Sequence, residues 1–443
     1  MDTPIYEFLR RYHNDRMIRF HMPGHKGKSF LGCEHLDLTE IKGADALYEA
    51  DGIIAESERK ASELFGSQRT CYSTEGSSQC IRAMLYLALT NRPAGAAPVI
   101  VAARNVHKAF VHAAALLDFE IVWLWPEESR SLCGCPVSPE SLERTLEALD
   151  APPAAVYLTS PDYLGGMADV AALAEVCHRH GTILAVDNAH GAYLRFLKPS
   201  LHPLDLGADL CCDSAHKTLP VLTGGAYLHI GRNALVAFAE HAKSALALFG
   251  STSPSYLTLA SLDLCNRYLA EDYPVRLSEM VERLADVRRQ LTQNGWQVES
   301  SDPLRLTISA PEGATGLKLA ERLRACRMEC EYADDSFLVL MITPETEQMD
   351  LEGLIAALGK NAVPAAERPP LPLARGEQVV SVRQALFAPH EVIPAKNALG
   401  RVCGAPTVSC PPAIPIAVSG ERIGKEALAL LEHYGLQTVD VLK

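Results

Sequence analysis

The sequence predicts an α/β fold: a mostly parallel sheet with helices on both faces, followed by a smaller α+β region. Three observations carry this. From about residue 53 to 230, short apolar runs alternate with segments of helical spacing. Those runs lack the polar alternation of a sheet with one wet face, so they read as strands buried on both sides. Beyond about residue 295 the order changes to two strand-like runs around one helix, a Pro/Ala/Arg-rich stretch, and a Pro-rich strand with a closing helix. The predicted domains are residues 1–295 and 296–443.

Ile54–Phe65 has helical spacing and stops at Gly66, a natural C-cap. Gly76-Ser77-Ser78 opens a second helix, Gln79–Leu89, with Ile81, Met84, Leu85 and Ala88 on one face. PVIVAA (98–103) is a strand, Val106–Leu117 a helix, EIVWLW (120–125) and AAVYLTS (154–160) further strands. Asp169–His180 is a helix ended by Gly181, TILAVDNAH (182–190) a strand that runs into polar residues, and ADLCCDSAHK (208–217) another. A helical stretch, Ala270–Asn294, leaves this region. LRLTISA (304–310) and SFLVLMI (336–342) flank the helix Thr315–Cys326, and residues 361–376 form a linker or long loop. CPPAIPIAV and a helix over Lys425–His433 close the chain.

Composition excludes several classes. With 48% hydrophobic and 21% charged residues in 443, the chain is an ordinary packed globular protein rather than a disordered or coiled-coil one. The apolar runs fall far short of the roughly 20 residues a membrane helix needs, and the polar N-terminus is no secretory signal. A net charge of −13 disfavours nucleic acid as a partner. Thirteen cysteines, an odd number without a metal-like CxxC pair, read as buried thiols of a reduced cytoplasmic protein, with no metal expected.

The residues richest in chemistry are Asp187, His190 and the Ser214-Ala215-His216-Lys217 segment. Asp187 ends one predicted strand and Lys217 follows the next, so neighbouring parallel strands would bring both to one crevice. A lysine able to form a Schiff base, facing an acid able to keep a pyridine nitrogen protonated, is what pyridoxal phosphate requires. Gly76-Ser77-Ser78 offers backbone N–H groups and a helix dipole to a phosphate, or else a plain N-cap. His107 begins a helix at the same predicted edge, where it would either stack on a flat ring or sit at the surface. His21-Met22-Pro23-Gly24-His25-Lys26-Gly27 reads as a tight turn.

The chain resembles the Orn/Lys/Arg decarboxylase family of pyridoxal phosphate enzymes with the aspartate-aminotransferase type of fold (fold type I). The strings that carry this are FHMPGHKG (20–27), LDLTE (36–40), EGSSQ (75–79), RNVHK (104–108), DNAHGA (187–192), DSAHKTLPVLTGG (213–225), STSPSYLTLASLD (251–263) and PPAIPIAVSGERI (411–423). They run from near the first residue to near the last, and the beginning resembles the short forms that lack an N-terminal wing domain. The resemblance implies that Lys217 carries the cofactor as a Schiff base, Asp187 pairs with the pyridine nitrogen, Ala189 lies against the ring and His107 stacks on its other face. It gives the phosphate to Ser77, Ser78, Ser214 and His216, and to Thr252 from a neighbouring subunit, which implies at least a homodimer with shared sites.

The implied reaction is decarboxylation of lysine, arginine or ornithine to the amine, a step of polyamine metabolism. Lys217 or His216 would protonate Cα, and Glu421 is a candidate for the substrate's distal cation. Three departures fall at Asn188, where the family commonly has Glu, at Gly224, and at Cys410-Pro411-Pro412-Ala413. The alternatives are an aminotransferase or lyase on the same fold, which share Asp187 and Lys217, and a non-catalytic pyridoxal-phosphate-binding protein.

Overall fold

The structure is a computed structural model. It describes residues 1–92, 95–299, 301–360, 362–363, 369–408 and 412–443. The backbone falls into two units, each drawn from two stretches of chain: residues 1–94 with 170–278, and residues 95–169 with 279–443.

In the first unit four strands lie side by side in the order Arg69–Ser73, Ala226–Ile230, Leu210–Asp213, Leu184–Asp187. The last two run parallel, with Asp187 opposite Cys212. The others pair antiparallel, Cys212 opposite Leu228 and Tyr72 opposite Tyr227. Leu-Ala-Val and Leu-Cys-Cys are wholly buried and each run ends in an aspartate, so both carboxylates leave the sheet at one edge. The two strands are shorter than their apolar runs predict. After Asp187 and Asp213 the chain turns, into a 3-10 turn at Ala192–Phe196 and a short helix at Ala215–Thr218.

Helices Ser77–Thr90 and Val236–Ala247 pack on each other and on these strands. Ile53–Phe65 ends at Gly66 with φ +66°, as the sequence predicts. A Cβ there would stand 2.6 Å from the Arg195 guanidinium. The helix Pro4–Asn14 is not foreseen by the sequence reading. Pro4 opens it, Ile5 and Leu9 bury one stripe, and the side chain of its own N-cap, Thr3, caps none of its N–H groups. Asp263, from the helix Tyr256–Ala270, caps it by accepting the N–H groups of Ile5 (2.9 Å) and Tyr6 (3.0 Å). Burial pushes the Asp263 carboxyl up to about 6, against the lowering pull of the Ser57 hydroxyl and those two N–H groups.

The expected turn at residues 21–27 is present: the Lys26 N–H meets the Pro23 carbonyl at 3.2 Å, and Lys26 and Gly27 have positive φ. Arg19 stitches this segment down, donating to the carbonyls of His35 (2.7 Å), Asp37 (3.0 Å) and Glu34 (3.3 Å). The Glu34 carboxylate in turn accepts the N–H groups of Phe30, Leu31 and Gly32. Phe20, Phe30 and Leu31 nevertheless point outward, 80% exposed or more.

In the second unit, Ala155–Thr159, Val99–Ala103 and Glu120–Leu124 form parallel pairs, with the helix Lys108–Leu117 joining the last two. Antiparallel pairing takes over towards the C-terminus. Phe337–Met341 lies between Arg305–Ser309 and Tyr332–Ala333, and His390–Pro394 pairs with Thr438–Leu442. The mixed α/β class with a mostly parallel major sheet therefore stands, and the C-terminal part is α+β as read. Of the Pro-rich strand, Pro415–Ala417 is extended and paired. Cys410 and Pro411 of the departing string, and residues 361 and 364–368 of the linker, lie outside the described residues. Among the described residues no helix is long and apolar enough to cross a membrane.

Candidate active site

The site is built at the edge where the first unit's parallel strands end. Ser77–Thr90 starts there. Its N-cap, Gly76, sits at φ +71° and gives the helix no side-chain cap, and a Cβ on it would meet nothing within 4 Å. The Gly76 N–H is bonded instead to the Gly224 carbonyl at 2.8 Å. Gly224 itself has φ +94°, and a Cβ on it would press to 2.8 Å of the Thr74 carbonyl oxygen. The departure at Gly224 thus lets two stretches of backbone approach. Gln79 pins the corner: it accepts the Ser73 hydroxyl (2.6 Å) and donates to Tyr48 (2.8 Å) and the Leu246 carbonyl (2.8 Å). The result is a helix N-terminus with no side-chain cap and the positive end of a macrodipole, where of the first-turn N–H groups that of Gln79 is bonded to the Gly76 carbonyl at 3.2 Å. The Ser214 hydroxyl reaches it, donating to Ser77 Oγ at 2.8 Å.

Asp187 ends its strand 2% exposed. It accepts the Ala189 N–H (3.2 Å) and the Cys212 thiol (3.6 Å). The buried thiols Cys80, Cys211 and Cys212 all have raised pKa values, burial first, so they are neutral hydrogen-bonding groups rather than nucleophiles. Lys217 lies in the short helix after Asp213, and its Nζ stands 2.8 Å from His190 Nε2. His190 is 5% exposed and follows Asp187 by three residues. The backbone at Asn188 bonds across to the Cys212 carbonyl (3.0 Å), and the Gly191 N–H closes back on the Asn188 carbonyl (2.8 Å). That tight turn folds the imidazole back towards the lysine.

The remaining candidates are placed as follows. His216 is half-buried, with Nδ1 3.0 Å from the Gly225 carbonyl. Burial lowers its pKa, so the ring is neutral, its proton on Nδ1 donated to that carbonyl, leaving Nε2 as an acceptor. Ser78 follows Ser77 in the first helical turn. Thr252 is exposed in a bend ahead of the helix Tyr256–Ala270. His107 belongs to the second unit, where it caps the helix Lys108–Leu117 by accepting the Ala109 N–H on Nδ1 at 3.1 Å.

Glu421 is not available to a substrate cation. It is 3% exposed, accepts the Val418 N–H at 2.8 Å and pairs with Arg104 at 3.5 Å. The Arg104 guanidinium also caps the carbonyls of Pro415 and Ile416 and lies over the rings of Trp123 and Trp125. Sequence reading gave His190 no task, although its place three residues after Asp187 in DNAH was the available signal.

Taken together, the first unit offers an open helix N-terminus for a phosphate, a buried carboxylate and a lysine amine at one sheet edge. These are the three groups that pyridoxal phosphate needs, and the cradle at Gly76 leaves room for it.

Comparison with known proteins agrees. A family model described as Orn/Lys/Arg decarboxylase, major domain, matches residues 3–310. An arginine decarboxylase of Bacillus subtilis (strain 168) is 30% identical, aligning 97% of this chain with 93% of its own. Among solved structures, the constitutive lysine decarboxylase of E. coli superposes with TM-score 0.79 at 18% identity, over 100% of this chain and 82% of that one. A serine palmitoyltransferase solved with PLP superposes with TM-score 0.55 at 16% identity, over 71% of this chain and 80% of that one.

Proposed function

The chain belongs to the Orn/Lys/Arg decarboxylase family, and from that premise we propose which of its residues act and which substrate they take. It is a pyridoxal-phosphate-dependent enzyme that removes the carboxylate of a basic L-amino acid as carbon dioxide. The cofactor supplies an aldehyde that bonds amines and an aromatic ring that accepts the electrons released when the carboxylate leaves.

The protein does the rest. Lys217 is the amine that holds the cofactor, and Asp187, dry and at the strand end, keeps a proton on the ring nitrogen. Ser77, Ser78 and Ser214, with the first-turn N–H groups of the helix that Ser77 begins, take the phosphate. Ala189 lies against the ring, and His107 keeps, as a proposal, the stacking role that the family resemblance gives it. His190, in contact with the Lys217 amine, is the group placed to pass a proton to and from it. His216, its Nδ1 turned to the Gly225 carbonyl, keeps, as proposals, the phosphate contact that the family resemblance implies and a proton-transfer role beside Lys217. The observation that carries this reading is the 2.8 Å contact of Lys217 Nζ with His190 Nε2, three residues from Asp187.

Arginine is the proposed substrate, because the Bacillus relative matched over nearly its whole length is named arginine decarboxylase. The proposed active unit is a homodimer in the cytoplasm. Exposed Thr252 and the outward apolar side chains Phe20, Phe30 and Leu31 support the first, and twelve free cysteines among the described residues support the second. The end of the major-domain match at residue 310 supports a domain boundary near 295.

The experiment is carbon dioxide release from arginine, lysine and ornithine with pyridoxal phosphate added. We expect arginine to show the highest kcat/KM, by about tenfold or more. A lysine preference overturns the substrate assignment, and a keto acid without carbon dioxide overturns the reaction.

A further inference from the structure

Asp213 is 0% exposed, one residue before Ser214 and four before Lys217. A carboxylate taken into a dry interior is costly unless donors surround it, and here they do. His202 Nε2 and His229 Nε2 each stand 3.1 Å from Oδ2, and Asn188 Nδ2 donates to Oδ1 at 2.6 Å. The tautomers follow from the far side of each ring. The Leu204 N–H points at His202 Nδ1 (3.4 Å), and the Thr70 hydroxyl faces His229 Nδ1 (2.8 Å), which leaves the protons on both Nε2 atoms. The ligand atoms of His202, Cys211 and Asp213 lie within 4.8 Å of one another, but with both imidazole N–H groups turned to the carboxylate the cluster is closed by protons without an ion.

The third of these donors, Asn188, is the telling one. Asn188 stands between Asp187 and Ala189, two residues before His190. Its amide is wedged: a Cβ on Gly191 would sit 2.0 Å from Asn188 Oδ1, so only glycine admits it. That Oδ1 is buried without a hydrogen-bond partner, and turning the amide over would set it against the carboxylate. The protein leaves an acceptor unsatisfied in order to keep Nδ2 on Asp213. One hydrogen bond therefore ties the turn carrying Asp187, Ala189 and His190 to the turn carrying Ser214 and Lys217.

We propose that Asp213 is a positioning residue for the Lys217 site, acting through Asn188 to hold the 187–190 turn in register with the lysine. This rests on the reading of Lys217 as the cofactor's amine. A role confined to stability would need only the two histidines, which anchor Asp213 through Oδ2, the oxygen that Asn188 does not use.

The test uses Asn188→Ala, Asp213→Asn, the double variant N188A/D213N and the exchange N188D/D213N. The readouts are the cofactor dissociation constant, the visible band of the bound cofactor, and borohydride fixation mapped to position 217. Each single variant is expected to weaken cofactor binding about tenfold and to shift the visible band, as for loss of a charge-assisted hydrogen bond. The double variant is expected to be no worse than the weaker single, and the exchange to recover most of the binding. If N188A binds within about twofold of wild type with an unchanged band, or the two single effects multiply, or the exchange is as weak as the singles, the proposal is overturned. If D213N does not fold, N188A carries the test, since it leaves Asp213 with both histidines. Failure of wild type itself to fix cofactor at Lys217 defeats the underlying reading. Normal fixation in wild type with N188A indistinguishable defeats only the role of Asp213.

Discussion

Lys217 and His190 form the contact on which the proposed chemistry turns. Lys217→Ala is expected to lose the visible cofactor band and at least about a thousandfold in carbon dioxide release, read in the same preparation. His190→Phe keeps the ring volume but removes the proton-carrying nitrogen. It is expected to lower kcat about 10²-fold or more while cofactor binding falls much less. An unchanged kcat would remove His190 from the reaction. At this scale the placement of Lys217, Asp187 and the serines of the proposed phosphate cradle was legible, because each stands beside a strand end or helix start that patterning finds. The contact of His190 with Lys217 was not, because the direction of that ring is set by the turn that Asn188 and Gly191 close. Glu421 misled for the opposite reason: its partner, Arg104, lies 317 residues earlier in sequence, so only the folded chain shows that the pair is already made.

Two elements lend themselves to measurement. The helix start at Ser77 depends on the close approach of Gly224 to Thr74, so Gly224→Ala adds both a backbone clash and a left-handed φ. A loss of about 1–3 kcal/mol in stability is expected, with cofactor binding weakened about tenfold, by denaturant titration and cofactor titration. The N-terminal helix is the second case. Asp263, its cap, has a folded pKa near 6, above its ordinary value of 3.8. The folded state thus holds the extra proton between those values, and this group's contribution to stability falls as pH rises from about 4 to 6. Relative to wild type, Asp263→Asn is expected to gain stability across that window, by at most about 2–3 kcal/mol, and a flat difference would show that burial does not shift the group. The core strands were readable from their apolar runs, but their last residues were not: Asn188–His190 and Ser214–Lys217 continue the run in sequence yet turn away to make the site. The helix Pro4–Asn14 escaped because half its face is charged and its cap comes from Asp263, 258 residues away.

At the scale of the whole molecule, the two units interleave in sequence, which no linear reading of composition could have shown, whereas the antiparallel C-terminal region was visible as a change of pattern. The proposed shared site makes a mixing prediction. Lys217→Ala and Thr252→Asp preparations, each inactive alone, are expected to recover up to about one quarter of wild-type activity when exchanged together, since half the dimers then hold one intact site of two. No recovery would place Thr252 outside the site. The stitched segment around Arg19 and Glu34 adds one more consequence. Its backbone is fastened from within while Phe20, Phe30 and Leu31 face solvent, so the ordering penalty that a floppy arm would incur on association has already been met during folding. In the proposed homodimer, two newly made copies should accordingly recognise each other as rigid bodies, at a rate governed by collision and orientation rather than by any disorder-to-order step.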